Sequence, residues 1–343
     1  MLNLRLLFVI LFAFVTLVMP TPSRALLPPD SFFLMEKEAG VAAKIHSQEL
    51  AGDLSEKNIW LAALHPKDSI WLPFVAARSL ARMGVTEALP QFDKRIQYGG
   101  INVEYFKIWR ARLIVEAEGK SSGKTTATSA QRKLKQFFAE LSVTPKWINE
   151  EIEKFEEVRR TWDPQKTQFP SYPASHPFAE LTMYEVADMI YRSDNPGAWL
   201  KLPQVKALDF RLNPLALMKL RYADVPLEKR PQLMAEDLAK MGGISENFML
   251  LMSDLGKPVR EAVAKKIEEI VKNETAYLQT KVTASGEKYR TIPAYRPLFR
   301  FLADSGDRDY EPLMERSKLN KIIYGQAFDS LNVRGPKIYD PRL

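Results

Sequence analysis

The segment Gly119-Lys120-Ser121-Ser122-Gly123-Lys124-Thr125 has the residue types of a nucleotide-binding loop. A phosphate cradle needs four residues between its glycines, followed by Lys and Ser or Thr at a helix start, so that backbone amides wrap the phosphates. Gly119 and Gly123 enclose only three, and the preceding FKIWRARLIVEAE has helical spacing where a buried strand is required. Thr128 and Gln131 stand at capping-box spacing, which starts the next helix beyond Lys124. The segment is therefore expected to be a flexible polar link, and no nucleotide partner is expected. A metal site needs clustered ligands. The histidines His46, His65 and His176 are scattered, and although His46 and Glu49 stand three apart on an expected helix, all three histidines are expected in surface or capping roles. Paired carboxylates could cleave glycosidic bonds. The acids of NEEIEKFEEVRR, Glu150, Glu151, Glu153, Glu156 and Glu157, instead spread around a helix face beside Lys154 and Arg160, as solvated charges do. No serine near a histidine has the glycine pattern of a nucleophile elbow. No catalytic, cofactor-binding or metal-binding residue is expected, and no cofactor. Aromatic side chains remain as binding candidates: Trp162 and Trp199, which stand at element ends, and Tyr172 in a proline-rich stretch.

The elements that would position these residues are helices. Apolar residues recur at steps of three and four in Phe106, Trp109, Leu113 and Ala117, and in Leu134, Phe137, Phe138 and Leu141. The same period runs through Ile148, Ile152 and Phe155, through Met183, Ala187, Ile190 and Tyr191, and through Val259, Val263, Ile267 and Ile270. Each set makes one buried stripe. Strand signals are sparse. The one candidate hairpin is 277–292, where polar and apolar residues roughly alternate around Ser285 and Gly286.

The amino terminus reads as a secretory signal: a short basic region, an apolar run from Leu6 to Met19, and small residues Ser23 and Ala25 before an expected cleavage after Ala25. The run is shorter than the roughly 20 residues that cross a bilayer, so membrane attachment is expected only if this segment is kept. Cleavage removes Arg5 and Arg24 and lowers the formal charge from +7 to +5. The remaining cations are interspersed with acids, which argues against a nucleic-acid partner. With no cysteine to cross-link or lipidate, an exported chain of this length must rely on its core, and a bacterial periplasmic or extracellular location is expected. The prolines of DPQKTQFPSYPASHP remove amide donors and forbid a helix. The expected domains are a signal peptide at 1–25, a helical lobe at 26–162, a proline-rich connection at 163–177 and a second helical lobe at 178–343.

RSLARMGVTEALP from Arg78 and RFLADSGDRDYEP from Arg300 share Arg, Leu, Ala, Gly and Pro at identical spacing, and LAKMGG at 238–243 echoes the Leu-Ala-x-x-Gly core. Leu and Ala end a packed helix, Gly terminates it with positive φ, and Pro enters the next helix. These segments, at about 71–96, 238–270 and 295–319, resemble the helical hairpins of HEAT-like proteins, including the bilin-lyase-type repeats. The resemblance implies an all-α fold of stacked antiparallel helical hairpins, irregular here because the copies are unevenly spaced, with a binding surface and no shared chemistry. The expected function is non-enzymatic binding or scaffolding in the cell envelope, with a protein or envelope polysaccharide as partner. The rival expectation is a helical lyase or hydrolase acting on polysaccharide through a Glu or Asp general acid.

Overall fold

The computed structural model describes residues 36–65, 72–99, 103–119, 124–163, 175–243, 245–283, 286, 288–305, 308–310, 312–313 and 316. The expected signal segment, Lys120–Gly123, Tyr172 and most of the proline-rich connection lie outside them. The fold is all-α, with one small β-hairpin among the described residues.

The first helices are α1 (Glu36–Ala51), α2 (Lys57–Ala63), α3 (Leu72–Arg82), α4 (Leu89–Tyr98) and α5 (Val103–Gly119). The chain continues through α6 (Ala127–Leu141), α7 (Pro145–Thr161) and α8 (Ser175–Arg192). Two short turns of helix, α9 (Pro196–Leu200) and α10 (Pro203–Lys206), lead to α11 (Pro214–Arg221), α12 (Arg230–Met241), α13 (Glu246–Ser253) and α14 (Lys257–Lys272). The short α15 (Glu274–Tyr277) precedes strands β1 (Gln279–Val282) and β2 (Lys288–Thr291), and α16 (Tyr295–Asp304) follows them. The strands pair antiparallel, with Gln279 opposite Thr291 and Val282 opposite Lys288.

The apolar stripes are buried as their spacing requires. Phe106, Trp109 and Leu113 enter a first core with Trp60, Phe74 and Phe92. Leu134, Phe137, Ile148 and Ile152 enter a second core. Val259, Val263, Ile267 and Ile270 enter a third with Tyr295, Phe299 and Leu302. The second core draws Ile108 to Ile152 from before the proline-rich connection and Ala179 to Ala223 from after it, so the connection does not divide two separate cores. Sequence punctuation marks where the chain leaves regular structure, whereas contact between cores depends on which faces remain apolar.

The turn after α3 follows its expected chemistry. Gly84 takes φ +58, and Pro90 sits in the first turn of α4. A Cβ on Gly84 would lie 2.8 Å from the backbone nitrogen of Ala117, so the glycine also lets α5 approach closely. The local structure recurs at the spacing of the sequence repeat. Helix α3 ends at Arg82 before a 3₁₀ turn at Thr86–Ala88, and α16 ends at Asp304 before one at Arg308–Tyr310. Gly242, after α12, also has positive φ.

Two boundaries differ from expectation. The N-cap of α6 is Thr126, whose hydroxyl accepts from the Ser129 amide at 3.1 Å while the Ser129 hydroxyl accepts from the Thr126 amide, so the box lies two residues before Thr128. A Ser at the third helical position closes this box in place of the usual Glu or Gln. Helix α8 starts at Ser175, inside the expected connection, because its only early proline, Pro177, falls in the first turn, where no amide donor is needed.

Candidate functional site

Helix α8 is the centre of the molecule. It packs on α5, α7, α9 and α11, and apolar residues surround it: Leu181, Met183, Tyr184, Val186, Ala187, Met189, Ile190 and Tyr191 are all buried. Where a helix is apolar on all sides, an acid buried along it must be neutralised inside the protein. Of its three acids, Glu180 is half-buried, and Glu185 and Asp188 are fully buried.

Around them the other helices supply cations. Arg82 from α3 donates to Asp188 at 3.1 Å, to Asp254 at 3.2 Å and to Glu49 of α1 at 3.3 Å. Arg192, one helical turn after Asp188, reaches the same three acids at 3.2, 2.9 and 3.3 Å. Lys219 of α11 pairs with Asp188 and, at 3.2 Å, with Asp254, the residue that caps the end of α13. Its ammonium also lies 4.6 Å from the Tyr184 ring centroid. Arg112 of α5 contacts Glu185 at 3.2 Å and Asp188 at 3.3 Å, and the Trp109 indole donates to Glu185 at 3.2 Å. Ser79 donates to Glu49 at 2.6 Å.

The network runs from one surface region to another. One end is Arg112–Glu116–Lys133, where the Glu116 and Lys133 side chains are 20% and 18% exposed. The other is Arg192, 24% exposed, while Arg82, Asp188, Lys219 and Asp254 are at most 3% exposed.

The charges fix one another's protonation. Burial would raise the carboxyls of Asp188, Asp254 and Glu49, but the surrounding guanidiniums and Lys219 outweigh it and hold all three below their ordinary range. Burial opposes the charge on Arg82, and Asp188, Asp254 and Glu49 restore it, so its pKa stands above the ordinary value. Lys219 is lowered, because burial and the neighbouring Arg82 and Arg192 outweigh its two acids. Such a set holds charge in fixed places. Asp188, Asp254 and Glu49 are ionised and give no proton at neutral pH.

A second cluster lies where α7 meets α8. His176 is buried against the Phe155 ring at 4.7 Å between centroids, and its Nδ1 lies 3.4 Å from Glu180 Oε2. Burial, with help from Glu156 across the interface, raises the Glu180 carboxyl to about 8, against the opposing charge of Arg159. Burial and Arg159 lower His176 to about 4, against the favourable charge of Glu151. At neutral pH this is a contact between a protonated carboxyl and a neutral imidazole. The ring pair Trp147–Phe178 bridges the same two helices.

The expectation for the histidines is of surface or capping roles. His65 is exposed, but His46 and His176 are buried. His46 Nδ1 lies 3.9 Å from Glu49, beside the central network, and no group of metal-ligating side chains occurs among the described residues. The binding candidates are not brought together. Trp199 is 2% exposed within the second core, its indole donating to Ser193 Oγ at 3.1 Å. An aromatic ring near the end of an element is as useful to the core as to a ligand, and here the core has it. Trp162 is half-buried at the C-terminal cap of α7, and Tyr172 lies outside the described residues. The acids of 150–157 do form a largely solvated face, with Glu156–Arg159 at 2.8 Å and Glu157–Arg160 at 2.7 Å.

Residue-type motifs do not point to the central network. The signal that does is the apolar content of α8 on every side of Glu185 and Asp188, together with Arg78 and Arg82 inside the equally apolar LPFVAARSLAR.

The chain has no match among protein-family models, curated proteins or solved structures. Among the described residues no helix is long and apolar enough to cross a membrane.

Proposed function

We propose that this chain is a non-enzymatic binding or scaffold protein of the bacterial envelope, exported through its amino-terminal signal and built of irregular HEAT-like helical hairpins. The observation that carries this reading is the central network. Its acids are neutralised by Arg82, Arg192, Arg112 and Lys219, enclosed by helices, and placed to join α1, α3, α5, α8, α11 and α13 into one body. Fixed internal charge of this kind suits a rigid platform. It does not suit proton transfer, which needs a group whose pKa lies near the working pH and which reaches a substrate. The partner is a protein or an envelope polysaccharide, and its aromatic contacts are Trp162 and Tyr172, which stand in the sequence between α7 and α8; Trp199 contributes by holding α9 in place.

One observation favours the enzyme reading. Glu180 keeps its proton up to about pH 8 beside a second carboxylate, Glu156, with Phe155, Trp147 and Phe178 on the same pair of helices, as a general acid in a polysaccharide-cleaving site would. One experiment separates the two readings. The chain from residue 26 onward is cross-linked in intact envelopes, and in parallel is assayed for turnover of peptidoglycan and polysaccharides, with Glu180→Gln as the control. Specific cross-linked partners and no turnover are the expected result; turnover abolished by Glu180→Gln would replace the scaffold reading with the enzymatic one.

A further inference from the structure

We propose that the β1–β2 hairpin is a docking element that accepts an acidic, extended segment of a partner protein as a third strand. This rests on the binding-protein reading above and names its partner class.

The hairpin stands on a firm base. Tyr277 donates to Glu269, Tyr295 donates to Glu274 at 2.7 Å, and Ile292 is fully buried just after β2. Beyond that base the helical body leaves β1 uncovered. All four residues of β1 are exposed, as are Lys288 and Arg290 of β2. Because the β1 side chains alternate between the two faces, their common exposure means that neither face of β1 is packed. A two-stranded hairpin without a buried face is marginal in water. Among the described residues the sheet has two strands, so each presents one open edge of backbone donors and acceptors.

Charge selects the occupant. The strand sequences Gln279–Val282 and Lys288–Thr291 carry three cations, Lys281, Lys288 and Arg290, and no acid. The register puts Lys288 opposite Val282 and Arg290 opposite Thr280, so these two cations share one face, while Lys281 lies on the other. A second copy of the hairpin would bring like charges together, and cations on an open edge keep identical chains apart. An anionic bilayer would meet the charges but leave the backbone edge unpaired. An acidic strand satisfies both, its main chain supplying the ladder and its side chains the specificity.

The test is fluorescence anisotropy on the chain from residue 26 onward with a labelled peptide of alternating Glu and Val. A second peptide of the same sequence, N-methylated at alternate residues, keeps the charge and loses the strand donors. The first peptide is expected to bind, the second to bind about tenfold more weakly or worse, and the triple variant Lys281→Glu, Lys288→Glu, Arg290→Glu to lose about tenfold or more for the first. Raising salt above about 0.15 M should weaken binding, since the charges are exposed. Equal binding of both peptides, no binding of either, or capture of phosphatidylglycerol vesicles with no peptide binding would overturn the proposal. A variant in which 279–291 is replaced by a short Gly-Ser turn separates this failure from that of the scaffold reading. Envelope partners retained by that variant would sink the hairpin and leave the scaffold standing, whereas a parent chain that cross-links to nothing would sink the scaffold.

Discussion

Asp188 is the residue on which the interior turns, since Arg82, Arg192, Lys219 and Arg112 all contact it from four helices. Removing one partner of a buried ion pair leaves the others uncompensated, which costs about 3–5 kcal/mol. Asp188→Asn should therefore lower the urea midpoint by that equivalent at unchanged m-value, as followed by circular dichroism. Asp188, Asp254 and Glu49 lie below their ordinary values when folded. Their stabilisation is accordingly complete above about pH 4.5 and is lost as pH falls through the folded values. Glu180 works in the opposite sense. Between its ordinary 4.5 and the 6.5 of an ordinary histidine, folded and unfolded states each hold one proton, on Glu180 when folded and on His176 when unfolded. From pH 6.5 to about 8 the unfolded chain has released both while the folded chain keeps the one on Glu180, so stability falls as pH rises across that window. Glu180→Gln should flatten this fall, measured as urea midpoints at pH 6.5 and 8.5 for both proteins; an identical slope in the variant would refute the assignment.

At the scale of elements, glycines and caps decide where helices end, and the structure ranks them. Gly84 combines φ +58 with a Cβ that would press on the backbone of α5, whereas the Cβ of Gly242, at φ +61, would meet nothing closer than Pro293 at 3.5 Å. Gly84→Ala should cost about 2–4 kcal/mol from conformational strain plus overpacking, and Gly242→Ala about 1–2 from strain alone, both read from thermal or urea unfolding. The Thr125 end of the polar segment is pinned. The Thr125 amide donates to the Asp194 carboxylate at 3.2 Å, and Asn195 donates to the Thr125 carbonyl at 2.9 Å, joining the start of α6 to the turn after α8. Lys124 is exposed beside this contact, and Lys124→Ala should leave the unfolding midpoint within about 0.5 kcal/mol of the parent.

At the scale of the whole molecule, the network and the shared second core tie the regions before and after the proline-rich connection into one body. Unfolding should then be one transition, with tryptophan fluorescence, which reports Trp60 in the first core and Trp199 in the second, coinciding with far-ultraviolet circular dichroism. Separate midpoints would show that the two regions open independently. The sequence by itself determined the helical class, the buried stripes of α5, α6, α7 and α14, the glycine–proline turn at Gly84 and the hairpin near 277–292. These are local properties, set by side-chain period and by backbone conformations that few residues can adopt. Only the tertiary structure decided that His46 and His176 are buried, that Trp199 belongs to the core, and that Glu49, Arg82, Asp188, Lys219 and Asp254 meet. Those residues lie up to 205 positions apart, each looking alone like an ordinary surface charge, and what joins them is the packing of apolar faces that leaves their charged ends in one shared interior space.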